Sequence, residues 1–227
     1  KAKTLEKLKQ YEEAIANYLI TLKLDDPTAF VYIRIGKCYQ KLEVLETAIK
    51  YYKKAVHEDP FLESGWVLLS NIYYEHESYD KAIYYINKAI EIDESNTTFW
   101  RKYADINVKL NFYEESVKGY RKCIELGDDV IGVYISMVNV LIFIGDFEQA
   151  LNIMIDARKV YDDFAEIEYR LFCLYYVLDK KTYSYLHLRK GLTLDFEYKE
   201  IVKDLFLLVF ESEEIKKIIS DFKRILE

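Results

Sequence analysis

Helix breakers are scarce in this chain, which has 2 Pro and 7 Gly in 227 residues. An all-β fold spends such residues on a tight turn every few positions, so the shortage excludes one and favours helices joined by short turns. Cysteine is also scarce. Cys38, Cys123 and Cys173 are odd in number and far apart, with no CxxC and no His at ligand spacing. That excludes a disulfide framework and a zinc centre, and reads as buried free thiols in a reducing compartment. His57, His76 and His187 lie far from one another, without a Ser or Cys placed to act as nucleophile. No GxGxxG, GxxxxGK[ST] or HExxH occurs, so no cofactor or metal is expected, and no enzyme activity. The many Asp and Glu residues are the solvated carboxylates of helix surfaces.

Positive charge is in deficit as well, with a net charge of -7. Non-specific nucleic-acid binding needs a basic face to displace counterions, so nucleic acid is not an expected partner. No long apolar run is present. The longest uncharged stretch, residues 130–145, includes Ser136 and Asn139 and is shorter than the roughly 20 residues that span a bilayer. It reads as a buried helix, and membrane insertion is not expected. No secretory leader is visible, which together with the free thiols points to the cytoplasm. The start at Lys1 reads as a piece of a longer protein.

What is present is a period. Ala14, Ala48, Ala82, Ser116, Ala150 and Ser184 fall at intervals of 34 residues, without insertion or deletion. A period of this length marks an array of supersecondary units that stack to share one core. In the copy starting at Ala29, apolar and small residues recur at helical spacing over 29–41 and again over 45–57. The two stretches predict an antiparallel pair, a first helix A and a second helix B. Asp59-Pro60 then ends the pair, because Pro disfavours helix in the residue before it. A second small set, Thr21, Ala55, Ala89, Cys123, Ala157 and Gly191, marks a close crossing of helices with no room for large side chains. Ala2, Gly36, Ser70, Ala104, Val138 and Phe172 mark another crossing and grow in size along the chain, which predicts pairs that splay progressively. Trp66 and Trp100 repeat at one packing position and read as core.

Tyr32, Ile35-Gly36, Tyr39, Ala48, Tyr52, Ala55 and Pro60 together resemble the tetratricopeptide repeat. The resemblance implies an all-α fold, a right-handed superhelical solenoid of antiparallel helix pairs. The expected division is a partial repeat at 1–28, repeats at 29–62, 63–96, 97–130 and 131–164, a divergent repeat at 165–198, and a C-terminal capping helix pair at 199–227. The two helices of that last pair would cover 199–210 and 213–226. Ile215, Ile218, Ile219, Phe222, Ile225 and Leu226 form an apolar stripe on the second.

The family resemblance also implies a binding surface, because helix A residues line the concave face. Arg34, Lys37, Lys41, Arg101, Lys102 and Lys109 form a basic stretch there. Ile135, Ile142, Phe143, Tyr169 and Tyr176 form an uncharged, partly aromatic one. Tyr74 and Arg170 stand at neighbouring groove positions, and Asn71 and Asn139 could bond a peptide backbone, since amides both donate and accept. The expected partner is a protein or peptide with acidic residues and an apolar anchor. The carboxylate clamp by which some family members hold chaperone tails is not matched, since Ile33, Leu68 and Thr98 stand at clamp positions. The leading reading is a non-catalytic scaffold for protein–protein interaction. The alternatives are the regulatory or substrate-recruiting region of a larger enzyme or sensor, and a module that self-associates into a homo-oligomer through its terminal helices.

Overall fold

The computed structural model describes residues 1–24 and 28–226. Among them, helices alternate with short turns: α1 (Ala2–Lys7), α2 (Tyr11–Leu24), α3 (Ala29–Lys41), α4 (Leu45–Glu58), α5 (Glu63–Glu75), α6 (Tyr79–Ile92), α7 (Thr97–Lys109) and α8 (Tyr113–Glu125). They continue with α9 (Ile131–Phe143), α10 (Phe147–Val160), α11 (Ala165–Val177), α12 (Lys181–Leu194), a 3-10 turn at Glu197–Glu200, α13 (Ile201–Leu205), α14 (Leu207–Phe210) and α15 (Glu213–Leu226). The chain divides into two compact units, Lys1–Leu126 and Gly127–Glu227.

Turn chemistry repeats with the same period as the core. Helix A passes into helix B through one left-handed residue, at Lys9, Glu43, Glu77, Asn111, Gly145 and Asp179, with φ between 55° and 81°. The following amide reaches back to close the end of helix A, as Val44 N to Tyr39 O at 2.9 Å and Ser78 N to Tyr73 O at 2.9 Å. This double wrap satisfies carbonyls that a helix end otherwise leaves bare. At the end of helix B, the Oδ1 of Asp59, Asp93 and Asp195 accepts from the amide two residues on, each at 3.0 Å. An Asx turn of this kind imitates a backbone turn, so helix B stops even in the repeats that lack Pro60. Several helices also start on side-chain caps, with Asn96 Oδ1 accepting from Thr98 N at 3.1 Å and Asp146 Oδ1 from Gln149 N at 3.0 Å.

Ala14, Ala48, Ala82, Ser116, Ala150 and Ser184 are all fully buried. So are Ala55, Ala89, Cys123 and Ala157. Gly36 shows how tight the crossing is, since a Cβ there would stand 2.5 Å from the ring of Tyr52. Trp66 and Trp100 are half-buried beside their own helix pairs, each indole donating to a loop carbonyl, Pro60 O at 2.9 Å and Glu94 O at 2.8 Å.

Two expectations need correction. The helix pairs do not splay steadily. Ser184 Oγ on α12 donates to Phe172 O on α11 at 3.0 Å, as Ser70 Oγ on α5 does to Ala82 O on α6 at 2.9 Å. The large Phe172 ring leaves the crossing and packs with Leu188, Val202 and Val209. Residues 199–210 are also not one helix. The backbone breaks at Phe206, at φ -146° and ψ 82°, between α13 and α14. On α15, Ile215 is buried, and Ile218, Ile219 and Phe222 pack around it against Leu188, Val202 and Val209. The side chains of Ile225 and Leu226, assigned to the same stripe, lie outside the described residues.

Candidate functional site

In the first unit the basic stretch resolves into four situations. Arg34 on α3 is tied to Glu6 on α1, its Nη1 donating to the two carboxylate oxygens at 3.1 and 3.2 Å. Lys37 and Lys41 are exposed on α3 and border a cleft of about 810 Å³. Glu6 and Glu75 share its walls, and Gln40 donates to Glu75 at 3.4 Å while accepting from the Tyr52 hydroxyl at 2.7 Å. The cleft is therefore of mixed charge, which reading the basic positions alone did not capture. Burial, then the Glu6 carboxylate, pushes the Cys38 thiol at its edge up to about 11, so it stays protonated and unreactive at neutral pH. Lys109 is exposed in the last turn of α7 and borders neither this cleft nor the next pocket.

The second pocket, about 260 Å³, lies between α5 and α7. Asn71 comes from α5, and Arg101, Lys102 and Asp105 come from α7, while Val67, Ile86 and Phe99 give apolar walls. Lys102 Nζ lies 3.9 Å from the ring centroid of Tyr74, a cation over an aromatic face. Burial lowers the pKa of Lys102, against the pull of Asp105 and Glu75. Burial raises that of Asp105, although the Tyr120 hydroxyl donates to it at 2.6 Å and Lys102 stands near. The pocket thus brings together Asn71, Arg101 and Lys102, with Tyr74 against the lysine.

The second unit departs further from expectation. Ile135 is half-buried, Asn139 exposed and Phe143 71% exposed. Tyr169 is fully buried, so it lines no groove. Its hydroxyl donates to Asp195 O at 2.9 Å, and its ring fills the space a side chain at Gly191 would take. Arg170, 4% exposed, donates to Glu166 at 2.9 Å and to Asn139 Oδ1 at 2.7 Å, so the Asn139 carbonyl oxygen is already engaged. Tyr176 packs edge-on to Phe172 at 6.1 Å, with its hydroxyl 3.5 Å from Ser212 Oγ. The physical reason is cover: Val202, Val209 and Ile215 close over Tyr169 and Phe172, with Tyr176 packed beside them. Of the expected apolar anchor, Phe143 is the residue left well exposed.

Models of the tetratricopeptide repeat match residues 59–189 and 31–61. The chain belongs to the tetratricopeptide repeat family. Among solved structures it is similar to the TPR protein YrrB, described as having an unusual peptide-binding site, with a TM-score of 0.63 at 18% identity over 78% of this chain and 92% of that one. It is similar to MamA with a TM-score of 0.63 at 17% identity, over 78% of this chain and 94% of that one. PilF of Pseudomonas aeruginosa matches with a TM-score of 0.61 at 14% identity, over 97% of this chain and 94% of that one. At such identities the likeness speaks for the fold alone. No curated protein matches the chain. Tetratricopeptide arrays are protein–protein interaction scaffolds, and this chain is one. Among the described residues, no helix is long and apolar enough to cross a membrane.

One cluster went unnoticed in the sequence of this tetratricopeptide chain. Glu168 stands on α11 where earlier repeats have Tyr32, Trp66, Trp100 and Tyr134, and it is 1% exposed. Arg158 of α10 donates to it at 2.8 Å, His187 Nδ1 of α12 lies at 2.6 Å, and Lys190 lies at 3.2 Å. Burial alone would raise the pKa of this carboxyl. The hydrogen bond and charge of His187, with Lys190 and Arg158, outweigh burial and lower it. The signal was available: a Glu at a buried aromatic position of the repeat needs cationic or hydrogen-bonding side chains that reach it.

Proposed function

We propose that this chain is a non-catalytic scaffold that holds a peptide segment of a partner on the helix A surface of its first unit. The observation that supports this reading most directly is the α5–α7 pocket. Groove residues from two successive repeats, Asn71 and the Arg101–Lys102 pair, border one apolar-walled depression. An acidic side chain of the peptide suits Arg101, whose planar fork can make two parallel hydrogen bonds to a carboxylate. Asn71 offers both donor and acceptor to a peptide backbone. The neighbouring cleft extends the surface toward Lys37 and Lys41. YrrB combines the same fold with a peptide-binding site, which agrees with this reading, although the residues argued for here are this chain's own.

Selection from a random peptide display library tests it, with the parent chain and an Arg101→Glu, Lys102→Glu variant run side by side. The parent is expected to enrich acidic peptides. The folded variant is expected to lose them, by about tenfold or more for each charged contact removed. Equal enrichment of the same peptides by both would refute the pocket as the site.

A further inference from the structure

One position on helix B recurs as half of an ion pair. Lys88 on α6 pairs with Glu91 at 2.7 Å, and at the equivalent position one period on, Lys122 on α8 pairs with Glu125 at 3.7 Å. On α10 the same two positions hold Asp156 and Lys159, so the pair is reversed and still made, at 2.7 Å. On α4 the lysine of this pair is Lys54, and His57 takes the place of the acid. A second pair on α8 joins Lys118 to Glu115 at 2.6 Å. The equivalent positions on α4 are Lys50 and Thr47, so this acid is missing as well. Lys53, where α6 has Asn87, adds a further ammonium group.

Lys50, Lys53, Lys54 and His57 are all exposed, and their spacing puts them on one face of α4. With Glu46 and Ile49 they border a shallow depression of about 510 Å³. The acids of the helix are Glu46 and Glu58, and among the described residues none of the three lysines forms an ion pair with either. Lys54 Nζ instead stands over two rings, 5.2 Å from the centroid of Tyr51 and 5.7 Å from that of Tyr32. Lysines three and four residues apart on a helix repel one another. The helix dipole does not offset this, because it acts within the last turn, which holds His57 and none of the lysines. Later repeats build the same helix pair with the charges matched, so the fold does not require this arrangement.

We propose that this face of α4 docks an acidic helix of a partner protein, with two carboxylates one turn apart. One carboxylate takes the place beside Lys54 that Glu91 and Glu125 fill in later repeats. The other takes the place beside Lys50 that Glu115 fills beside Lys118. Lys53 lies between them, and Ile49 meets an apolar side chain of the same helix. A short acidic segment suits this face better than a membrane or a nucleic acid. The chain carries a net charge of -7, which repels an extended polyanion over the whole protein, while a few carboxylates on one helix meet the lysines alone. The surface belongs to helix B and shares no residue with the helix A pocket of Asn71, Arg101 and Lys102.

The test is a fluorescence anisotropy titration of the whole chain into a dye-labelled synthetic helix that carries two Glu at i and i+4 beside one Leu. The same helix with Gln for Glu is the control. The acidic helix is expected to bind saturably and the control to bind far more weakly. Arg101→Glu, Lys102→Glu is expected to bind the acidic helix as the parent does, which separates this surface from the helix A pocket. His57→Glu restores the acid found on α6 and α8. It is expected to weaken binding about fivefold while its urea midpoint stays at or above that of the parent. Lys50→Gln, Lys53→Gln, at exposed positions, is expected to weaken binding with the circular dichroism of the parent. Absence of saturable binding overturns the proposal, as does equal binding of the control helix. So do undiminished binding in both folded α4 variants, loss of binding in the Arg101, Lys102 variant, and a preference for phosphatidylserine vesicles over the acidic helix.

Discussion

Glu77 sits at φ 55°, in the left-handed region, on the exposed turn between α5 and α6. An L side chain there costs about 1–2 kcal/mol, more than the roughly 0.5–1 kcal/mol of extra chain entropy that Gly loses on folding. Glu77→Gly is therefore expected to stabilise the chain by about 0.5–1 kcal/mol in urea denaturation, as Gly145 does naturally in its own repeat. Gly36 poses the opposite case. In Gly36→Ala the new methyl would stand 2.5 Å from a Tyr52 ring that is fully buried and held through its hydroxyl to Gln40. Overpacking of about 1–3 kcal/mol exceeds the roughly 1 kcal/mol that Ala gains in helix propensity, so a net loss of about 1 kcal/mol is expected in the same measurement. Asp105 carries a pH signature. Its folded pKa lies above the ordinary 3.8, chiefly through burial, so the stability it contributes is full below 3.8 and is lost as pH rises through the folded value. Asp105→Asn is expected to remove that loss and flatten the stability–pH curve in the window above 3.8. None of these positions announces itself in composition: Glu77 looks like any surface glutamate until the turn geometry is known.

At the scale of the element, helix extents followed from apolar spacing. The stretches read as 29–41 and 45–57 became Ala29–Lys41 and Leu45–Glu58. The spacing was legible because each helix buries one face against its pair and the next repeat, and a helical period cannot serve any other structure. The break at Phe206 was not legible, since 199–210 has no Pro or Gly to mark it. Between α13 and α14 the backbone bends while Val202 and Val209 both reach the apolar cluster around Phe172. The Glu168 cluster binds three elements together, α10, α11 and α12. Glu168→Gln removes the one carboxylate that Arg158, His187 and Lys190 share; because Arg158 and Lys190 are partly exposed and Lys190 keeps Asp163, the loss is expected to cost about 1–2 kcal/mol, read as a lowered unfolding midpoint. The sign with pH is also defined: the folded pKa of Glu168 is lowered, so its stabilisation is present above the ordinary carboxylate range and is lost as pH falls through the folded value.

At the scale of the whole molecule, each repeat buries its faces against its neighbours, so stability accumulates along the array. Residues 1–126 form a compact unit with its own buried clusters, Ala14 with Ile35 and Cys38, Ala48 with Tyr52 and Leu69, and Ala82 with Ile86 and Ile106. A chain ending after Leu126 is expected to be helical by circular dichroism and to unfold cooperatively. A non-cooperative, linear loss of signal would contradict the independence of that core.

The period of 34, read from six small residues, determined that the chain is a repeat array and where its helices cross, and the motif residues from Tyr32 to Pro60 carried the resemblance to the family. The period could do so because a close crossing admits small side chains only, and that rule acts on each repeat separately. The surface was a different matter. Arg34 is tied to Glu6, which stands 28 residues away, and Arg170 to Asn139, 31 residues away. Tyr169 is covered by a segment that follows two helices later in the chain. Whether a side chain on the groove face meets solvent, a counter-ion or another helix depends on residues from other repeats. Those neighbours are set by tertiary packing, and no local pattern encodes them.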